Sequence, residues 1–89
     1  MPEQNFTIPN PEGLHARPAA KFVKLANRFK SDIWVRKGEE EVNGKSIMGL
    51  MVLAAEQGAV ITVNTDGPDC EEALQQLGGL IEGGFSAEP

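Results

Sequence analysis

His15, the only histidine of the chain, stands in the run Gly-Leu-His-Ala-Arg-Pro-Ala at residues 13–19, one residue before an expected helix. An imidazole can carry a phosphoryl group as a nucleophile, and a guanidinium such as that of Arg17 binds two phosphate oxygens at once. The backbone amides of Ala16 and Arg17 should be unpaired there, and the helix dipole favours an anion. The run therefore predicts a phosphoryl-carrying site. The alternative is a surface histidine that finishes a loop, which is common near helix starts.

A second feature is the apolar run from Ile47 to Ala55, which contains no polar side chain. A helix on one face of a small sheet has an outer side, so this run implies either complete burial or an exposed apolar patch. Because so small a domain has little protein to cover the run, we expect a docking surface. Ile47, Met48 and Met51 should contact partners, and Leu14 beside His15 should join them.

Basic side chains recur at spacings of four, three and four on the first expected helix. They are Arg17, Lys21, Lys24 and Arg28, and we call them the basic stripe. Residues at these spacings align on one helix face, which is usually only solvated. Because this stripe begins beside the expected phosphate and the protein is acidic, we interpret it as a recognition surface for acidic partners, with Lys21 and Lys24 in contact.

Length and charge limit the function further. The chain has 89 residues and a formal net charge of −5. Such a length predicts one domain, 1–89, too small for a deep substrate cleft, and the acidic balance argues against a nucleic-acid partner. Every Lys and Arg lies at or before Lys45, so residues 1–45 carry net +2 and residues 46–89 carry net −7.

Cysteine and histidine content excludes two kinds of stabilising site. The single cysteine, Cys70, leaves no internal disulfide, and one histidine gives no ligand set for structural zinc, so we expect no metal. We also expect no cofactor. Cys70 itself should be a small, buried or half-buried residue. No basic start precedes a long apolar core, and no apolar run approaches the roughly 20 residues that span a bilayer. We expect a cytoplasmic protein without direct membrane insertion.

Periodicity predicts the elements that position these residues. Alternating apolar residues bounded by turn signals predict strands at 5–8, 31–37, 40–43 and 59–65. Helical spacing predicts helices at 16–28 and 47–55, the second with Ser46 as N-cap. Asp69 and Glu72 form an expected capping box that opens a third helix, which Gly83 and Gly84 end before a loose tail at 83–89. Its inward-facing residues should be Ala73, Leu74, Leu77 and Ile81. The order predicts an α+β domain with helices on one face of a four-stranded sheet.

From about residue 3 to residue 83 the chain resembles the HPr family, the histidine-containing phosphocarriers of the bacterial sugar phosphotransferase system. The resemblance rests on the run at 13–19, on Asn-Gly-Lys-Ser-Ile-Met-Gly-Leu-Met at 43–51, and on the order of elements. It implies an open-faced β-sandwich whose antiparallel strands have the order 1-4-2-3. It also implies that His15 carries the phosphoryl group and that Arg17 stabilises its charge.

The same resemblance implies partners. The family takes phosphate from a phosphoenolpyruvate-dependent first enzyme and passes it to sugar-specific acceptor domains, acting as a stoichiometric carrier rather than an enzyme. It implies regulatory phosphorylation of Ser46 in bacteria that possess the matching HPr kinase. The alternative function is a regulatory adaptor of the same fold that acts through Ser46 and binds a transcription regulator. The presence of both His15 and Arg17 favours the carrier, which we expect to be a monomer.

Overall fold

The four strands that the structure describes join into one antiparallel sheet. The computed structural model describes residues 2–89, which form four strands in the order β1-β4-β2-β3. Their bounds are β1 Glu3–Thr7, β2 Asp32–Lys37, β3 Glu40–Asn43 and β4 Val60–Asp66. All three pairings are antiparallel. Buried residues alternate with more exposed ones at Ile33 and Val35 of β2 and at Ile61, Val63 and Thr65 of β4, because successive strand residues face opposite sides of a sheet.

Three helices within residues 2–89 complete the domain. Their bounds are α1 Ala16–Ala26, α2 Ile47–Val52 and α3 Cys70–Glu82. Helix α3 packs on β1 and β4, and α1 packs against both α2 and α3. The core between the helices and the sheet includes Phe6, Phe22, Ile33, Leu50, Ile61 and Leu77. The open-faced β-sandwich that the resemblance implies, with strand order 1-4-2-3, is therefore confirmed.

Two helices end earlier than the periodicity predicts. Helix α1 was expected to reach residue 28, but the amides of Arg28 and Phe29 bond to carbonyls three residues back, which marks a tightened last turn. Helix α2 was expected to reach residue 55 but ends at Val52, and Ala54 adopts a positive φ of 51°. The chain turns there because the carbonyl of Ala55 accepts a hydrogen bond from the amide of Leu14 at 2.8 Å. A contact with a distant loop thus sets the end of α2.

The capping box expected at Asp69 and Glu72 is absent from the described residues 2–89. Asp69 is the N-cap of α3, but its carboxylate accepts hydrogen bonds from the Ser31 hydroxyl at 2.6 Å and from the amides of Lys30 at 2.9 Å and Ser31 at 3.0 Å. These bonds, the Ser31 hydroxyl first, lower the pKa of Asp69 to about 2. Glu72 instead accepts a bond from Gln76. The carboxylate therefore joins the α1–β2 loop to the start of α3.

The segment 83–89, expected to be a loose tail, is held against the domain. Phe85 is 3 % exposed and belongs to the core, although its φ of +60° is unusual for a residue with a side chain. Lys21 Nζ donates to the carbonyl of Phe85 at 2.8 Å and lies 3.1 Å from the carboxylate of Glu88. Burial of the Phe85 ring and the two contacts of Lys21 thus hold the segment beside α1.

Candidate phosphoryl-transfer site

His15 is the N-cap of α1 and its side chain is exposed. The backbone at His15 is extended, and its carbonyl accepts a hydrogen bond from the amide of Ala19 at 2.9 Å. Within residues 2–89 the imidazole makes no capping hydrogen bond. The ring is therefore available to a reacting group while its backbone is fixed by the helix.

The first turn of α1 offers donors beside that ring. The opening amides of a helix have no partner inside it, and Pro18 carries no amide proton. Among the residues that the structure describes, this leaves the amides of Ala16 and Arg17 unpartnered. These two amides are therefore available as hydrogen-bond donors to an anion beside the ring.

The loop before His15 is anchored by Gly13 and Leu14. Gly13 has a φ of +67°, and a Cβ atom built on it would lie 2.4 Å from the carbonyl oxygen of Ala55. Only glycine allows this backbone to approach so closely. Leu14 was expected to contact partners, but it is 2 % exposed and belongs to the core. The prediction for Leu14 is wrong, since an apolar side chain beside His15 anchors the loop instead of facing solvent.

A shallow depression surrounds His15 and Arg17. The other lining residues are Glu12, Ala16, Pro18, Lys21, Met51, Gly84, Phe85 and Ser86. Arg17 is exposed and, within residues 2–89, its guanidinium forms no ion pair. It is therefore available to an anion on His15. No group of three or more metal-ligating side chains occurs among residues 2–89, and no helix there is long and apolar enough to cross a membrane.

The C-terminal wall of this depression was not predicted. Gly84, Phe85 and Ser86 lie more than sixty positions after His15, and Lys21 binds the Phe85 carbonyl on the same side. The only local signal was the glycine pair at 83–84, which marks a helix end without saying where the chain goes next. Lys21 is half-buried and already paired with Glu88, so it contributes less exposed positive charge to the basic stripe than expected. Arg17, Lys24 and Arg28 are exposed.

Helix α2 exposes most of its apolar side chains. The exposed set, which we call the apolar patch, is Ile47 (41 %), Met48 (78 %), Met51 (44 %) and Val52 (64 %). Leu50 alone in this helix is fully buried and anchors it to the core. Complete burial of the helix, the alternative considered above, is excluded. Met51 lines both the depression around His15 and a neighbouring one that contains Glu56, so the apolar patch continues to the site.

Ser46 caps the helix that carries the apolar patch. Its Oγ accepts a hydrogen bond from the amide of Gly49 at 3.0 Å, as an N-cap serine should. The neighbouring Lys45 reaches away and donates to the carbonyl of Phe29 at 2.9 Å. The N-cap expectation is confirmed, and the hydroxyl is half-buried at the edge of the apolar patch.

Comparison with known proteins gives this geometry its family. Residues 2–83 match the family model described as "PTS HPr component phosphorylation site". The chain belongs to the HPr family. The phosphocarrier protein HPr of Neisseria meningitidis serogroup A is 53 % identical to it over 85 residues, which cover 96 % of each chain. Members with this name are phosphoryl carriers rather than enzymes, and they belong to the phosphotransferase system.

Solved structures of HPr-family proteins agree with this fold. A crystal structure of HPr from Thermoanaerobacter tengcongensis superimposes with a TM-score of 0.94, at 49 % identity and with 100 % of both chains covered. The catabolite repression protein Crh of Bacillus subtilis superimposes with a TM-score of 0.77, at 44 % identity, over 94 % of this chain and 97 % of that one. That Crh structure is described as a dimer with a swapping domain. The family therefore includes Crh as well as HPr.

Proposed function

We propose that His15 accepts a phosphoryl group from a phosphoenolpyruvate-dependent first enzyme and passes it to sugar-specific acceptor domains. The observation that carries this proposal is the exposed imidazole at the start of α1, beside an Arg17 that forms no ion pair within residues 2–89, in a chain of the HPr family. The relay takes place in the cytoplasm, as the family implies, and the carrier acts as a monomer. Nucleic acid and membrane insertion have no part in it.

The chemistry follows from the groups around the ring. A ring nitrogen of His15 attacks the phosphorus of the donor, and the bond from phosphorus to the donor breaks with its electron pair. The amides of Ala16 and Arg17 and the Arg17 guanidinium then face the phosphoryl oxygens and offset their charge. In the second step the acceptor attacks in line, and the electron pair of the P–N bond returns to the ring. Because the depression is shallow and open, the partner enzymes supply the remaining catalytic groups.

The test uses phosphoenolpyruvate, the first enzyme and the full chain. Wild type should gain one phosphate that is labile in acid and stable in base, and His15→Ala should gain none while it keeps its fold, since an exposed side chain contributes little to stability. Acid-labile phosphate that persists in His15→Ala would overturn the proposal. Circular dichroism of both proteins provides the control for folding.

Arg17 has its own expected result. Arg17→Ala should still accept phosphate but transfer it more slowly, since loss of one charge-stabilising donor costs on the order of 3 kcal/mol in the transition state. Arg17→Lys keeps the charge without the planar guanidinium, so its transfer rate should lie between those of wild type and Arg17→Ala. Time courses of phosphoryl transfer, quenched at successive times, measure these rates. An unchanged rate in Arg17→Ala would mean that the partner supplies this charge.

Partner contact is assigned to the apolar patch and to the exposed members of the basic stripe. Ile47, Met48 and Met51 contribute apolar area, and the flexible thioethers adapt to several partners. Lys24 and, in its remaining exposed part, Lys21 attract an acidic partner. Both surfaces border the depression around His15, so one bound enzyme covers all three.

A second candidate function is a regulatory adaptor, and the Crh relatives favour it. In this function an HPr kinase phosphorylates Ser46, and the product binds a transcription regulator. Phosphate on Ser46 adds about −1.5 to −2 charges beside the apolar patch, which repels an acidic first enzyme. Ser46→Asp should therefore raise the Michaelis constant for the first enzyme more than it lowers the turnover number. Equal phosphorylation of Ser46→Asp and wild type on His15 would count against this regulation.

A further inference from the structure

Glu12 brings a negative charge into the depression that holds His15 and Arg17. Its carboxylate is held in a defined orientation, because Oε1 accepts a hydrogen bond from Nδ2 of Asn10 at 3.0 Å. Asn10 is 5 % exposed, and the same Nδ2 donates to the carbonyl of Gly13 at 2.9 Å. An ionised carboxylate on the wall of an anion-binding site repels the anion that binds there.

The Glu12 charge is not cancelled by its neighbours. Within residues 2–89, neither Arg17 nor any other cation lies within ion-pair distance of it. The hydrogen bond from Asn10, a backbone hydrogen bond and, to a smaller extent, the Arg17 guanidinium hold the pKa of Glu12 below its usual range. Glu12 is therefore ionised at neutral pH, while Arg17 stays available to the phosphoryl oxygens.

We propose that Glu12 keeps the phosphoryl group on His15 labile, a role that rests on the carrier function proposed above. A phosphoryl group on the ring brings about two negative charges into the field of the Glu12 carboxylate. This repulsion raises the energy of the phosphorylated carrier and is relieved when the group leaves. Arg17 acts in the opposite direction, so the pair sets how strongly the carrier retains its cargo. Asn10 is the positioning residue that holds the carboxylate on this wall.

The simplest reaction that reports this balance is hydrolysis of the phosphorylated carrier. The oxygen of a water molecule attacks phosphorus, the P–N bond breaks, and its electron pair returns to the ring nitrogen of His15, which keeps one proton. The products are inorganic phosphate and the original imidazole. No partner enzyme takes part once the first enzyme has been removed, so the rate reflects groups of this chain alone.

The experiment compares Glu12→Gln with wild type after phosphorylation and removal of the first enzyme. Glu12→Gln keeps the hydrogen-bonding carbonyl oxygen but not the charge, and it should slow phosphate release about two- to five-fold at low salt. The transfer equilibrium with the first enzyme should shift by a similar factor toward the phosphorylated carrier. Glu12→Asp keeps the charge and should behave nearly as wild type. Raising the salt should reduce the difference, because screening weakens the repulsion.

Glu71→Gln is the matched control, because it removes the same charge from the first turn of α3, at the opposite end of that helix from Phe85. Its phosphate release should equal that of wild type. Equal rates in Glu12→Gln and wild type, or an equal slowing in both glutamine variants, would overturn the role of Glu12 while leaving the carrier function intact. A wild type that takes no phosphate on His15 would overturn both.

Discussion

Replacing Gly13 by alanine should destabilise the protein and displace the loop that carries His15. Two costs add. Gly13 has a φ of +67°, a conformation that costs about 1–2 kcal/mol for a residue with a side chain. The new Cβ would also lie 2.4 Å from the Ala55 carbonyl oxygen, and relieving such a contact in a packed region costs about 1–3 kcal/mol. The sum is a loss of about 2–5 kcal/mol.

Gly38 provides a matched control for this loss. It has a φ of +61°, but a Cβ built there meets nothing within 4 Å. Gly38→Ala should therefore show only the conformational cost of about 1–2 kcal/mol. Urea unfolding of the two variants measures both values, and their difference isolates the contact with Ala55. For a domain of this size each kcal/mol lowers Tm by about 4–8 °C, so thermal unfolding gives an independent check.

The same substitution should affect phosphoryl transfer. Gly13 and Leu14 form the backbone connection between Ala55 and His15, so a shift that relieves the contact moves the ring relative to the helix amides. Transfer to His15 in Gly13→Ala should slow even well below its Tm, whereas Gly38→Ala should transfer as wild type. Equal destabilisation of the two variants, together with unchanged transfer, would refute the reasoning about this contact.

Three further results are expected. Asp69→Asn should lower Tm at about pH 7 but not near pH 2. The reason is that the lowered pKa of Asp69 gives stability that is present above about pH 4 and is lost as pH falls toward 2. Thermal unfolding of the variant and wild type at several pH values measures this difference. Lys24→Glu should slow association with the first enzyme strongly at low salt and weakly at high salt, whereas Met48→Ala should speed dissociation at both salt concentrations. Surface plasmon resonance measures both rates. An identical salt dependence in the two variants would mean that the basic stripe and the apolar patch do not have the separate roles assigned to them. Phe85→Ala should cost about 3 kcal/mol in urea unfolding because its buried ring fills the core, and a loss near zero would show that the segment 83–89 contributes nothing.

Local patterns in the sequence predicted the elements better than the contacts between them. Alternation placed the strands to within a few residues, and helical spacing placed His15 and Ser46 directly before their helices. The strand order came from resemblance, because alternation shows which residues share a face but not which strand lies beside another. The apolar patch was predicted from the size of the domain, since there was too little protein to cover that helix.

The incorrect predictions involve partners far away in sequence. Asp69 was expected to cap its own helix, yet it bonds to amides 38 and 39 positions earlier. Leu14 was assigned to the surface because its neighbour His15 is functional. In the structure the amide of Leu14 donates a hydrogen bond to the carbonyl of Ala55, and the Leu14 side chain is buried. Phe85 was placed in a tail because glycines precede it, and its burial depends on a space that the other elements leave open. No pattern of adjacent residues reports such contacts.

Because β4 lies between β1 and β2, synthesis of the chain on a ribosome determines when the sheet can form. Among the four strands described in residues 2–89, only β2 and β3 are neighbours in both sequence and space, so they can pair as soon as they emerge. Strand β1 is made first but has no partner until Val60–Asp66 follows it, more than fifty residues later. Loop closure over such a distance is slow, and unpaired strand edges invite association with other chains. A nascent chain that stalls before residue 60 therefore exposes unpaired edges of both β1 and β2. Only when β4 emerges can it pair with both strands and complete the sheet.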